Sequence, residues 1–415
     1  MSAEVIIMNK DGLALAADSA VTITGTNGKI FNSSDKLFAL SKYHPVGIMN
    51  YGDANFMGIK WDTIIKSYRD FLGEKSFDKL IDYENDFLHY LAAFPYISED
   101  QMVRYLKSRC QDVCSQVLSR IINDLRTEFG EAEDIQTSAI ESAFNTSLKT
   151  IKDNMMNDPE NEKHIKLDTD FIDDHSEVVQ KTFKMIFEEY PLSEEQNADL
   201  TAILKLHFQK RGYIDDYGGI VIAGFGEREI FPSVCELKVS GKIGDSLIYF
   251  GRETIQAHST SSLIMPFAQG DVIDQFVYGA DFALADRMLE RFGSILGSVA
   301  PSLDDGDREK KHALIDLLVE YTRDIMAIVY KNPIRDIVRV MEIQEMVLMA
   351  EALINLTALK RRVSDEAESV GGPVDVAQIT KNEGFIWIKR KTRYDPHLNM
   401  ELNQNYFRRW RHGKL

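Results

Sequence analysis

A chain of 415 residues, 44% apolar and 10% aromatic, has enough material to bury a large core. It has no long uncharged apolar run that would serve as a membrane span, and a formal net charge of −17 disfavours non-specific binding to nucleic acid. Three cysteines, an odd number without metal-type pairing, fit a protein of the reducing cytoplasm.

Glu4 to Met8 and Leu13 to Ala17 are short apolar runs joined by Asn9-Lys10-Asp11-Gly12, whose Asp-Gly predicts a tight hairpin. Glu4 and Asn9 to Asp11 also interrupt the front too early for a signal peptide. Thr26-Asn27-Gly28 marks a second turn, and Lys36 to Leu40 and Val46 to Met49 predict two more strands. Gly52-Asp53 opens a helical pattern carried by Phe56, Ile59, Ile64, Ile65, Tyr68 and Phe71, with Asp53 suited to its N-cap. Helical, charge-rich stretches follow at Asp78 to Phe94, Glu99 to Phe129 and Glu194 to Gln209. A second β block is predicted at Gly219 to Gly224, Ser233 to Val239 and Ser246 to Phe250. Helices resume over 272–293, 308–331 and 335–363, and the chain closes with strands at Pro373 to Ile379 and Phe385 to Ile388. Strands, helices, strands, helices, strands is an α+β order, and two antiparallel sheets between helical layers satisfy it.

Chemistry concentrates at the front. Initiator methionine is trimmed when a small side chain follows, so Ser2 is expected to lead the mature chain. An N-terminal serine carries a hydroxyl and an α-amine on one residue, the minimal kit for a nucleophile activated by its own amine. Other signals read more simply. Cys110 and Cys114, four apart on a helix, read as buried small hydrophobes, and the nine histidines show no metal spacing. Gly224-Phe225-Gly226 lacks the third glycine of a nucleotide-binding loop.

Ser2…Asp11-Gly12-Leu13-Ala14-Leu15-Ala16-Ala17-Asp18-Ser19…Lys36…Tyr51-Gly52-Asp53-Ala54 resembles the start of a proteasome β-type subunit or its bacterial ATP-dependent relative. Ile220 to Gly226, Val370-Gly371-Gly372-Pro373-Val374 and Glu383-Gly384-Phe385 are similar to later parts of that family. The resemblance implies a divergent, bacterial-type N-terminal-nucleophile hydrolase with a four-layer αββα sandwich. Core parts would lie at 1–74, 214–294 and 336–392, with helical insertions at 75–213 and 295–335 and a basic, aromatic tail at 393–415.

Carried onto this sequence, the resemblance makes Ser2 the nucleophile and its α-amine the base, acting through a water. Lys36 would hold that amine neutral by like-charge repulsion, Asp18 would fix Lys36, and the backbone N–H of Gly52 would face the oxyanion. The family has an Asp and a Ser flanking the late Gly-Gly, where this chain has Ala367 and Val370. Asp365, Ser369 and Asp271 are the nearest candidates to orient the terminus, with Gln269 beside Asp271. The expected activity is hydrolysis of a peptide or amide substrate with no metal or organic cofactor, no nucleic acid and no membrane. Self-assembly into a homo-oligomer is implied too, and an ATPase or another protein partner is compatible with it. The alternative is a catalytically silent scaffold that binds a protein through its helical insertions.

Overall fold

The computed structural model describes residues 2–23, 29–130, 136–157, 167, 169–188, 190–210, 214, 216–299, 308–364, 370–392, 395 and 397–400. The chain forms two compact units, residues 1–37 with 261–415, and residues 38–260. The first unit opens with β1(Ala3–Asn9), β2(Gly12–Ala17), β3(Val21–Ile23) and β4(Lys29–Phe31). The second unit takes over at β5(Leu37–Ala39) and continues through β6(Val46–Gly52), β7(Asn55–Phe56), β8(Ile59–Lys60), α1(Trp61–Leu72) and α2(Leu80–Ala92). It goes on with α3(Glu99–Phe129), α4(Thr137–Asn157), α5(Asp170–Asp174), α6(Ser176–Ile186) and α7(Glu194–Gln209). It ends with β9(Gly218–Gly224), β10(Ser233–Ile243), β11(Ser246–Gln256) and α8(Ala257–Thr260). The first unit resumes with β12(Ser262–Ala268), α9(Asp271–Tyr278), α10(Phe282–Val299) and α11(Arg308–Met326). A π-helical turn at Ala327–Lys331, α12(Asn332–Val338), α13(Ile343–Val363), β13(Asp375–Thr380) and β14(Gly384–Lys389) complete it. The class is α+β, with antiparallel sheets.

In the first unit, β12, β1, β2, β13 and β14 lie side by side in one antiparallel sheet. The β1–β2 hairpin forms where Asp11-Gly12 predicts it. Asn9 Oδ1 accepts from the N–H groups of Asp11 (2.9 Å) and Gly12 (3.3 Å), which closes the turn through a side chain. Side chains alternate across a strand, so Ala3, Val5 and Ile7 share one face with each other. They pack with Ala14, Ala16 and Val376 against Ile273 and Val277 of α9 and Met346, Ala350, Leu353 and Ile354 of α13. Glu4, Ile6 and Met8 point to the opposite face and are equally buried.

In the second unit, β11, β10, β9, β6 and β5 form the other five-stranded antiparallel sheet. Its strands pack against α1 and α2 through Trp61, Tyr68, Tyr83 and Phe87. A further core joins α3, α4, α6 and α7 around Val113, Phe144, Phe183 and Phe208.

Parts of the expected element map need correction. The helix expected over 335–363 is two, α12 ending at Val338 and α13 starting at Ile343. No helix opens at Gly52-Asp53: β7 and β8 pair around Met57 and Gly58, whose φ angles are 52° and 83°. Two successive positive φ values make the mirror-image turn whose twist suits a hairpin, so α1 starts only at Trp61. Asp53 caps no helix; its Oδ1 accepts from the N–H of Asn55 at 3.0 Å. The single helix expected over 272–293 breaks at Gly279, left-handed at φ 72°, into α9 and α10. β12 is a strand that the expected β block does not include; it lies at the outer edge of its sheet, where Pro266 is tolerated. The Thr26-Asn27-Gly28 turn lies outside the described residues.

Candidate active site

Ser2 sits directly ahead of β1, and its carbonyl accepts from the N–H of Gln269 at 3.0 Å, which extends the β1–β12 ladder by one bond. Only 3% of Ser2 is exposed. In extended chain, residues two apart share a face, so Ser2 and Glu4 point the same way. The Ser2 hydroxyl donates to Glu4 Oε2 at 3.2 Å.

Asp18 leaves the far end of β2 beside the start of β1. Its Oδ1 accepts from the N–H of Ala3 (3.1 Å), and its Oδ2 from the N–H groups of Ala20 (3.2 Å) and Gly371 (2.9 Å). Three backbone donors thus fix this carboxylate before any side chain reaches it. Lys36, 3% exposed, donates to Asp18 Oδ1 and stands 3.6 Å from Glu4 Oε1. One buried ammonium therefore lies between two buried carboxyl groups, and the second of them holds the serine hydroxyl.

That charge count governs Glu4. Burial pushes its carboxyl up from 4.5 to about 8, and the neighbouring Asp18 carboxylate adds to the rise. The Lys36 ammonium and the bond from Ser2 act against burial without cancelling it. Since Asp18 already matches Lys36, the Glu4 carboxyl is not held ionised as an ordinary carboxylate is, and it gives up its proton only as pH rises toward about 8.

A second buried cation braces the same corner. Lys391 pairs with Asp375 and with Asp35 (3.3 Å) and donates to Ser19 Oγ at 2.9 Å. Ser19 Oγ in turn donates to the Pro373 carbonyl at 2.6 Å, which ties the segment after β2 to the approach of β13.

Ser2, Asp18 and Lys36 thus come together within the first unit. Gly52 belongs to the second unit, at the end of β6. There φ is +75° and a Cβ would stand 2.7 Å from the Tyr217 carbonyl oxygen, so local geometry alone demands glycine. Asp271 starts α9 and is bound by Arg361 and by Lys360 (3.4 Å) of α13, while Gln269 Oε1 accepts from Arg361 at 3.1 Å. Asp365 and Ser369 lie outside the described residues, as does the tail carrying Tyr406, Phe407, Arg408, Arg409, Trp410, Arg411 and Lys414.

Sequence reasoning missed Glu4 and Lys391. For Glu4 a signal exists: it is a carboxylate inside an apolar strand, two residues from Ser2. Lys391 gives none, because only the β2–β13 pairing brings it to Ser19.

Burial raises the thiols of Cys110 and Cys114 on α3 to about 12, as apolar packing requires. Among the described residues, no group of three or more His, Cys, Asp or Glu is arranged to hold a metal ion. No described helix is long and apolar enough to cross a membrane.

No family model matches this chain, and no curated protein does. Among solved structures it is similar to Anbu (ancestral beta-subunit) from Yersinia bercovieri. That match has 9% identity over 98% of this chain and 95% of the other, with a TM-score of 0.28. It is similar also to an Anbu (Gly-1) mutant from Hyphomicrobium sp. strain MC1, with 11% identity over 100% of this chain and 98% of the other, TM-score 0.28. Likeness at that level carries no family assignment. The membership in the proteasome β-type family implied by the front motifs is therefore corrected. Those motifs are short, and a tight Asp-Gly hairpin ending in a backbone-bound aspartate also arises from turn chemistry alone.

Proposed function

We propose that this chain is a serine-dependent hydrolase that cleaves a peptide or another amide through Ser2. In this reading, removal of whatever precedes Ser2 frees its α-amine. The hydroxyl attacks the carbonyl carbon, and the neutral amine takes the hydroxyl proton through a water. Lys36 favours the neutral amine by like-charge repulsion, and Asp18 keeps Lys36 in place.

The observation that carries the reading is the bond from the Ser2 hydroxyl into a buried cluster of Glu4, Lys36 and Asp18. Burying three ionisable groups behind one serine hydroxyl costs stability, and such costs concentrate where chemistry is done. Self-association belongs to the same proposal. Leu317 and Tyr321 of α11 and Leu348, Leu356 and Leu359 of α13 are exposed and apolar, and sedimentation measures the assembly.

Intact mass combined with a hydroxyl-directed fluorophosphonate decides the reading. Ser2 is expected to head the purified chain and to take the label, and Ser2→Ala is expected to take none. Retained Met1, or labelling unchanged in Ser2→Ala, would sink it. The competing reading, a silent scaffold that binds a protein partner, draws on the 3% exposure of Ser2, which leaves its hydroxyl closed to substrate in this state. It predicts an unlabelled Ser2 in a folded chain whose amine is free.

A further inference from the structure

We propose that Glu4 is a direct proton acceptor for Ser2, working alongside the α-amine. This rests on the Ser2 reading above and adds to it a group that the front motifs do not include.

The argument starts from reach. Glu4 Oε2 stands at direct hydrogen-bond distance, 3.2 Å, from the Ser2 hydroxyl, whereas the amine is expected to act through a water. The second point is how little else engages the carboxyl. Glu4 is fully buried on a strand otherwise apolar from Ala3 to Met8, and its Oε1 accepts no hydrogen bond. The Lys36 ammonium beside it already has Asp18, itself held by three backbone N–H groups. A carboxyl that takes a hydrogen bond from the nucleophile's hydroxyl, with Lys36 beside it already paired to Asp18, is placed to take that proton.

The surroundings suit the task. β2 sets Ala17 opposite Glu4 and β12 sets Phe267 opposite it, neither of them titratable, so the charged groups facing it are Asp18 and Lys36. Burial then lifts the carboxyl's proton affinity toward the neutral range, where an acceptor works best.

The proton balance closes. The cycle starts from ionised Glu4, which forms as pH rises toward about 8. In acylation the Oγ–C bond forms, the carbonyl π pair moves onto oxygen, and the hydroxyl proton goes to the Glu4 carboxylate at Oε2. Collapse breaks the C–N bond, and Glu4 gives that proton to the departing amine. Water then attacks the ester and leaves its proton on Glu4. When the C–Oγ bond breaks, Glu4 returns the proton to Ser2.

The test follows fluorophosphonate labelling of Ser2 across pH in wild type, Glu4→Gln and Glu4→Asp, with melting curves to establish folding. Glu4→Gln is expected to label more slowly by on the order of a hundredfold and to lose one ionisation from its rate–pH profile. Glu4→Asp is expected to recover part of the rate. A folded Glu4→Gln with the wild-type rate and profile overturns the proposal and leaves the Ser2 reading standing. If Glu4→Gln does not fold, the wild-type profile is recorded at two temperatures. A carboxyl titration barely moves on warming, whereas an amine titration falls. A component that stays in place supports Glu4, and a profile that moves as a whole overturns it. An unlabelled Ser2 in wild type at every pH takes down the Ser2 reading, and this proposal with it.

Discussion

A carboxyl buried among apolar strand residues keeps its proton in the fold over a pH range in which the unfolded chain has lost it. For Glu4 that range runs from 4.5 to about 8, and throughout it the native state binds one more proton than the unfolded state. Stability from this group is therefore fully present below 4.5 and is lost as pH rises through about 8. Glutamine copies the neutral form at every pH. Glu4→Gln is accordingly expected to melt at nearly the wild-type temperature in acid and above it in mild alkali. A gap that does not widen as pH rises contradicts the burial of Glu4. Lys36 gives the complementary case. Lys36→Met leaves the Asp18 carboxylate buried without its cation and is expected to cost about 3–5 kcal/mol in urea unfolding at neutral pH. A loss below about 1 kcal/mol would mean that the Lys36–Asp18 pair contributes little. The sequence marks Asp18 and Lys36 because each stands beside a strand in a motif, and the fold pairs them. In the sequence Glu4 is only an interruption of an apolar run, since a sequence does not show that its strand is buried on both faces.

The glycines of two turns separate backbone demand from side-chain crowding. Gly52 and Gly58 both have positive φ, +75° and +83°, but a Cβ on Gly52 would meet the Tyr217 carbonyl oxygen at 2.7 Å, whereas on Gly58 it meets only Gln101 Nε2 at 3.8 Å. Gly58→Ala is expected to cost about 1 kcal/mol, from backbone strain alone. Gly52→Ala adds a clash with fixed backbone and is expected to cost about 2 kcal/mol or more in the same urea titration. Equal losses would refute the close approach at Tyr217. Element positions followed from periodicity where one pattern dominated: α3 and α7 run over the residues the helical spacing marks, Glu99–Phe129 and Glu194–Gln209. Periodicity failed where turn chemistry outranked it. Phe56 and Ile59 sit at helical spacing, yet they pair across the β7–β8 hairpin because Met57-Gly58 adopts two positive φ values. β12 lies outside the expected β block, at the outer edge of its sheet, where Pro266 is tolerated.

The division of the chain into residues 1–37 with 261–415, and 38–260, depends on β1 meeting β12 and β2 meeting β13. Pairings across more than two hundred residues leave no local trace, so the sequence offered the classes of element but not this partition. The partition has a consequence for stability, because each unit buries a titratable group that burial holds in its neutral form. The first unit holds Glu4, raised to about 8, and the second holds His207 on α7, lowered from 6.5 to about 4. Burial, helped by the nearby Arg109 cation, keeps His207 neutral, and neither of its ring nitrogens has a hydrogen-bond partner. Between 6.5 and about 4 the unfolded chain binds the extra proton, so stability from His207 is present above 6.5 and lost as pH falls through about 4. The two units should thus respond to pH with opposite slopes: acid favours the first and weakens the second. Hydrogen exchange, corrected for its intrinsic pH dependence, reads both at once. From mild alkali to pH 5, strands β1, β2 and β13 are expected to gain protection while α3 and α7 lose it. His207→Leu is expected to remove the loss in the helices without touching the strands, and Glu4→Gln to flatten the strands alone. Parallel changes in both units, or a Glu4→Gln effect on α7, would mean that the two units open as one.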